Sequence, residues 1–359
     1  MGLEFAARIR RIPVYPAADG YALDDDVAML ASNESPFRPL PEVVAAAQQA
    51  IEGVNRYPDP TSSALRSALS SRYGVPVNRI AIGNGSCDVL LAAAEALLEP
   101  GAEVVYAWPS FSVYPHLAAA SGATAVTVDL DAEDRHDLEA MAGAVTVATR
   151  LLVVCNPNNP TSTALPSQDI ARLLERVPPY VCVIVDEAYC EFSTLDDPDA
   201  TVDLLQGHPN LVLLRTFSKV YGLCGLRVGF GLCGSQEFRT AVDQVRQPFF
   251  CNAAAQAAAT EALGHQDEVA RRVEQTIAAR LALEDGLREL GLHAADSQAN
   301  FVWFGLGEER DEQAIVRGLA ERRVLVRAGS ALGREGFLRV TVGSGEENER
   351  FLAALAELL

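Results

Sequence analysis

The stretch Val181-Cys-Val-Ile-Val-Asp-Glu-Ala-Tyr189 decides the fold. Residues 181–185 are apolar without a break, most of them β-branched, and the run ends on the carboxylate of Asp186. A strand with one wet face alternates apolar and polar residues. An unbroken run suits a strand covered on both faces, as in a parallel sheet flanked by helices. Comparable runs occur at 102–107, 125–128, 150–155, 211–215 and 226–231, interleaved with helix-like segments at 86–98, 112–121, 167–176 and 235–246. That alternation predicts an α/β fold with a mostly parallel central sheet.

Past residue 250 the texture changes. Residues 252–290 are Ala-rich and helical, as one bent helix or two. Strand-like runs at 300–304, 324–327 and 337–342 then surround a helix at 311–322, and a last helix starts at 346. This reads as a smaller α+β domain. The first 35 residues, Pro-rich and then Asp-rich, read as an arm that docks on a neighbour. The expected division is 1–35, arm and part of the small domain; 36–250, large domain; and 251–359, small C-terminal domain. A chain of 359 residues, 49% hydrophobic, has core enough for two domains in one globular unit.

The formal charge of −19 opposes nonspecific binding to nucleic acid or an anionic membrane, while leaving room for a small anion held by local arginines. No apolar run of about 18 residues suggests a membrane helix. The N-terminus lacks the apolar core and cleavage site of a signal peptide, so a cytoplasmic protein is expected. Seven cysteines form no C-x-x-C pair, and five histidines show no ligand spacing. Buried thiols in a reducing compartment are expected, and no metal site.

Four junctions between strand and loop carry unusual chemistry, and doubly wound sheets place their sites at the carboxyl ends of strands. In Ile82-Gly-Asn-Gly-Ser-Cys-Asp88, glycines before a helix start expose N–H groups to an anion, although Gly-Asn-Gly-Ser is also an ordinary turn. Cys155-Asn-Pro-Asn-Asn-Pro-Thr161 is a rigid loop that can offer fixed amide donors, or simply a stiff connection. Asp186 stands where a carboxylate is costly unless paired; a ring nitrogen that becomes cationic is one partner, and a helix N-cap is the plainer alternative. Tyr189 follows three residues on.

The fourth junction is Leu213-Leu-Arg-Thr-Phe-Ser-Lys-Val-Tyr-Gly222, which holds the chain's one lysine against 28 arginines. Biased composition explains the scarcity. Arg stays protonated, whereas a buried Lys can lose its proton and form a Schiff base, so Lys219 is a candidate nucleophile. Thr216, Ser218 and Arg227 around it suit a phosphorylated aldehyde. A phosphate cradle, a carboxylate for a pyridinium nitrogen, a phenol, an Asn and an amine together specify pyridoxal 5′-phosphate (PLP).

At this point the chain resembles the class I/II aminotransferases of the fold type I PLP enzymes, in the branch of histidinol-phosphate aminotransferase and the related aromatic amino acid aminotransferases. The likeness runs nearly end to end, through Leu30-Ala-Ser-Asn-Glu-Ser-Pro36, Arg56-Tyr-Pro-Asp59, the Asn-Pro loop, Asp-Glu-Ala-Tyr, the Ser-Lys segment to Arg227, and Leu338-Arg-Val-Thr-Val-Gly343. The resemblance implies that Lys219 holds PLP and that Asp186 pairs the pyridine nitrogen. It implies that Tyr189 and Asn159 bond the ring 3′-oxygen and that Phe111 stacks on the ring. Gly85, Ser86, Cys87, Thr216, Ser218 and Arg227 would grip the phosphate. Tyr57 would reach the cofactor of the other subunit, making the unit a homodimer with shared active sites. Arg339 would hold the substrate carboxylate or phosphate, Arg327 would be a second phosphate ligand, and Tyr15 would close the pocket. Three positions depart from the family pattern: Cys87-Asp88 replaces Asp-Glu, and Ser162 replaces Gly.

The implied reaction is ping-pong transfer of an amino group between L-glutamate and a second substrate. The leading expectation is histidinol phosphate and its keto form imidazole acetol phosphate, on the Val326-Arg-Ala-Gly-Ser-Ala-Leu-Gly333 stretch, with an aromatic substrate as the alternative. Phenylalanine or tyrosine is favoured by the Thr161-Ser-Thr163 loop and Ser297-Gln-Ala-Asn-Phe-Val-Trp303. Decarboxylation of a phosphothreonine-type substrate and a non-enzymatic PLP-binding role stand as alternatives.

Overall fold

A computed structural model describes residues 3–5, 9, 10, 12 and 26–359. The chain enters through a two-residue strand β1 (Ala28–Met29), then helices α1 (Pro41–Ile51) and α2 (Ser63–Tyr73), the latter stopped by Gly74 in the left-handed region at φ 68°. The units β2 (Ile80–Gly83), α3 (Ser86–Leu97), β3 (Glu103–Trp108), α4 (Tyr114–Ser121), β4 (Thr124–Asp129), α5 (Leu138–Gly143), β5 (Thr149–Cys155), α6 (Ser167–Arg176) and β6 (Cys182–Asp186) alternate as the sequence predicts. They are followed by β7 (Leu211–Thr216), β8 (Gly229–Cys233) and α7 (Gln236–Val245).

Seven strands form one sheet in the order β2-β8-β7-β6-β5-β3-β4, parallel except for β8, which runs antiparallel to both neighbours. Along β6, Val183 and Val185 enter the core on one face while Cys182 and Ile184 enter the core on the other. Burial of both faces is therefore why residues 181–185 needed to be apolar throughout. Register brings the strand ends level: Cys155 pairs with Asp186, Asp186 with Leu214, and both Thr216 and Gly83 with Gly229. The chemistry-bearing loops thus leave one edge of the sheet together.

Two expectations change, and one left open is settled. The run at 226–231 is a strand only from Gly229, because Cys224–Leu226 form a 3₁₀ turn and Arg227 sits at φ 60°. A Cβ on Gly229 would lie 2.3 Å from the Ser86 nitrogen, so this strand start tolerates only glycine against the start of α3. Residues 252–290 form two helices, α8 (Ala253–Ala262) and α9 (Gln266–Glu289), parted at Leu263-Gly-His265. After β9 (Phe301–Gly305) and α10 (Glu312–Glu321), the run 324–327 divides into β10 (Val324–Leu325) and β11 (Arg327–Ala328), which join different sheets. β12 (Phe337–Thr341) and α11 (Gly345–Ala356) complete the chain.

The C-terminal lobe has its own apolar cluster around Phe304, Leu319, Leu338 and Phe351, which Ala28 and Leu30 join from the N-terminal end. α8, in contrast, buries Ala255, Ala258, Ala259 and Ala262 in the core of the large sheet. No helix among the described residues is long and apolar enough to cross a membrane.

Candidate active site

The carboxyl edge of the large sheet and the C-terminal lobe enclose a cavity of about 520 Å³, within the size range of small-molecule sites. Gly85, Ser86, Cys87, Phe111, Asn159, Asp186, Tyr189, Thr216, Ser218, Lys219, Arg227, Arg327 and Arg339 all line it. Tyr57 does not: it is 80% exposed and stacks on Phe249 at 4.4 Å between ring centroids. Tyr15 lies outside the described residues.

Asp186, the last residue of β6, is buried. Its Oδ2 accepts a hydrogen bond from the Tyr114 hydroxyl at 3.1 Å, while its Oδ1 is buried with no hydrogen-bond partner among the described residues. The Ala188 N–H favours the ionised carboxyl without meeting the geometry of a bond to Oδ1. Desolvation dominates and lifts the carboxyl to about 6, against the Tyr114 bond. A helix N-cap would have satisfied that oxygen; here it waits for a donor from the cavity.

Lys219 keeps some exposure because it lines the cavity, and its Nζ donates to the Ser32 carbonyl at 3.2 Å. Burial and then the Arg339 guanidinium lower its pKa to about 8, partly offset by Cys224 and Glu34. Tyr189 is edge-on to Phe301 and accepts from Asn33 Nδ2 at 3.1 Å; burial pushes its phenol up.

The anion cradle is built from the start of α3 and the end of β7. The first N–H groups of a helix have no acceptor within it, and those of Ser86 and Cys87 belong to residues on the cavity wall. Gly85, at φ 78°, has no side chain because a Cβ would lie 2.6 Å from Arg227 Nη2. Thr216 Oγ1 accepts from the Ser218 N–H and donates to Ser218 Oγ at 2.9 Å, which leaves the Ser218 proton for a ligand. Asp88 turns back to accept from the Asn84 N–H, and burial raises the Cys87 thiol to about 12. The departure at 87–88 therefore leaves the backbone cradle intact. An orphaned carboxylate oxygen, a glycine-floored anion cradle and a deprotonatable amine in one cavity fit PLP.

Arg339 projects from β12 and is nearly buried. Nη1 donates to Asn159 Oδ1 at 2.5 Å, Nη2 donates to the Ala31 carbonyl at 2.6 Å, and the guanidinium lies over the Phe301 ring. Ser162 has φ 62° and no exposure, which explains the glycine in the family pattern.

Several site residues were not singled out from sequence. Tyr114 falls within the helix-like segment 112–121 and carried no mark of its own. Ala31, Ser32, Asn33 and Glu34 line the cavity from a segment quoted only as a family signature. Asn33 is fixed by Thr341 and Asn300, each more than 260 residues away. That spacing gave no signal.

The family model described as aminotransferase class I and II matches residues 25–355. The chain is 44% identical over 344 residues to the aromatic amino acid aminotransferase of Thermobifida fusca, covering 95% of this chain and 93% of that protein. It is 40% identical over 335 residues to the histidinol-phosphate aminotransferase of Moorella thermoacetica, with 93% and 86% covered. The structure of histidinol-phosphate aminotransferase from Sinorhizobium meliloti in complex with pyridoxal-5′-phosphate superimposes with a TM-score of 0.84 at 30% identity, covering 92% of this chain and 90% of that one. With the family pattern running from residue 25 to residue 355, this chain belongs to the class I and II aminotransferases and is a PLP-dependent transaminase.

Proposed function

We propose that the protein moves an amino group between L-glutamate and a second substrate that joins one anionic group to one flat ring. The observation that carries this is Arg339, a guanidinium clamped by Asn159 and Ala31 in the cavity that also holds Lys219. A pre-set fork suits a carboxylate or a phosphate. Phe111, Val113 and Leu332 supply apolar wall for a ring.

Aromatic amino acids, phenylalanine and tyrosine, are the first reading, supported by relatives of that name at 44% and 42% identity. Histidinol phosphate, favoured by the sequence resemblance, is the second; Arg327 on the cavity wall supports it as a further phosphate ligand.

Bound PLP supplies an electron-withdrawing ring that drains charge from the substrate α-carbon. Asp186 keeps the ring nitrogen protonated. Lys219 would hold the cofactor and would take and return the proton at the α-carbon, for which its lowered pKa suits it. Tyr189 and Asn159 would hold the ring oxygen, and Phe111 would cover the ring from the cavity wall. Gly85, Ser86, Cys87, Thr216, Ser218 and Arg227 would hold the phosphate.

The working unit is a homodimer in the cytoplasm, with Tyr57 completing the partner's site. The exposed Tyr57–Phe249 stack, beside exposed Ile51 and Val54, supports it. We place α8 with the 36–250 domain, on the strength of its buried alanines.

The test starts from the PLP-loaded protein. Glutamate, phenylalanine, tyrosine, histidinol phosphate and phosphothreonine are each scored for conversion of the cofactor to pyridoxamine phosphate. Conversion by glutamate and by phenylalanine or tyrosine supports the first reading. Conversion by histidinol phosphate instead selects the second. Release of CO₂ from phosphothreonine without cofactor conversion overturns both.

A further inference from the structure

We propose that His136 is a positioning residue for the two loops that hold the cofactor ring, acting through Asn158. Neither residue touches the cavity, and both are buried, at 4% and 1% exposure. Asn158 is the hub. Its Nδ2 lies 3.2 Å from the Pro109 carbonyl, which only accepts, so the amide orientation follows. Oδ1 then accepts from Ser110 Oγ at 2.7 Å and from His136 Nε2 at 3.1 Å.

One side chain thereby ties together the neighbours of two ring-contacting residues: Ser110 precedes Phe111, and Asn158 precedes Asn159. The same amide donates to Thr161 Oγ1 at 2.8 Å. Thr161 bonds Thr163 at 2.9 Å, and Thr163 donates to the Asp134 carbonyl at 2.6 Å. The Asp134 carboxylate pairs with Arg334 at 2.5 Å, in the C-terminal lobe loop that includes cavity residue Leu332. A directional run of hydrogen bonds thus passes from the ring loops to the lobe that carries Arg327 and Arg339.

The role of His136 follows from its tautomer. Nε2 must carry the proton, because Asn158 Oδ1 only accepts. Nδ1 is then a bare acceptor, buried with no hydrogen-bond partner among the described residues. A residue retained only to fill this space would be apolar. What a neutral imidazole adds is one donor aimed at Asn158.

The inference rests on the assignment of Phe111 and Asn159 to the ring, and Asn159→Ala is the control for it. Holoproteins carrying His136→Leu, His136→Gln and Asn159→Ala are compared with the unaltered enzyme. The readouts are the PLP dissociation constant, the pH titration of the visible absorbance of lysine-bound cofactor, and thermal stability. His136→Leu should shift the titration midpoint and weaken PLP binding about tenfold, the effect of losing one buried donor. His136→Gln, which keeps an N–H donor, should restore both. A Leu variant that loses only thermal stability overturns the proposal, as does a Gln variant that restores nothing. If the Leu variant does not fold, Ser110→Ala removes the other donor to the same oxygen; the same shift supports the proposal and an unaltered spectrum overturns it. If Asn159→Ala leaves the absorbance unchanged, the ring assignment itself has failed, and the proposal falls with its premise rather than at His136.

Discussion

The Tyr114 hydroxyl donates to Oδ2 of Asp186 at 3.1 Å and leaves Oδ1 as a buried acceptor with no protein partner among the described residues. Half of the carboxylate is thus held by the protein and half is presented to the cavity. Tyr114→Phe should remove the hydrogen bond that opposes desolvation, so the acid limit of cofactor binding, set by a carboxyl at about 6, should move upward. PLP affinity at pH 7 should fall about tenfold, as expected for one bond to a charged group. Fluorescence titration of the apoprotein with PLP across pH checks both.

Asp186→Asn should separate stability from function. The folded pKa of about 6 lies above the ordinary 3.8, so the apoprotein bears no cost from this group below pH 4 and the full cost above pH 6. The Asn variant of the apoprotein should therefore melt higher at pH 7, by on the order of 3 kcal/mol. Its transaminase turnover should drop roughly a hundredfold or more, because a neutral amide cannot hold the ring nitrogen protonated. Calorimetry of the apoprotein beside single-turnover kinetics reads the two effects.

Lys219 must be neutral to bond an aldehyde. With its pKa lowered to about 8, colour formation on adding PLP to apoprotein should accelerate with pH and level off above a midpoint near 8. The depressed pKa also means that this amine costs the apoprotein stability below pH 8, a cost that fades between 8 and 10.5. Borohydride should fix the cofactor to this residue and to no other side chain, since the chain has no second lysine.

Arg339→Lys retains the charge but not the fork. The bonds to Asn159 and Ala31 cannot both be kept, so KM for glutamate should rise about a hundredfold or more, with a smaller change in kcat. The Lys219 midpoint should stay near 8 in this variant and move upward in Arg339→Met, which removes the neighbouring cation. Stopped-flow half-reactions and the colour titration distinguish the two losses.

Ser162 holds a left-handed conformation with no exposure. Ser162→Gly relieves strain of order 1 kcal/mol but frees the unfolded chain, so stability should change by less than about 1 kcal/mol. Ser162→Val should lose more than about 2 kcal/mol, because a β-branched residue is both strained and crowded there. Urea unfolding measures each.

Local periodicity and residue type determined much of this protein. Residues 181–185 announced a strand buried on both faces, and the glycines before Ser86 announced a helix start open to an anion. The solitary lysine, between Ser218 and Arg227, announced an amine beside a phosphate site. Thirteen of the expected site residues meet in one cavity: eleven sit on strand ends or loops at one edge of the seven-stranded sheet, and Arg327 and Arg339 reach it from the three-stranded sheet of the C-terminal lobe. Register is what the sequence could not supply. Only the assembled sheet set β8 antiparallel and Arg227 in a left-handed turn. Only the tertiary structure brought Tyr114 to Asp186 and Asn33 to Tyr189. It also seated His136 on Asn158 and Arg339 on Asn159. Such contacts depend on strand order and on how the C-terminal lobe seats against the sheet, and a hydrogen bond between residues 180 positions apart leaves no mark on the residues between them.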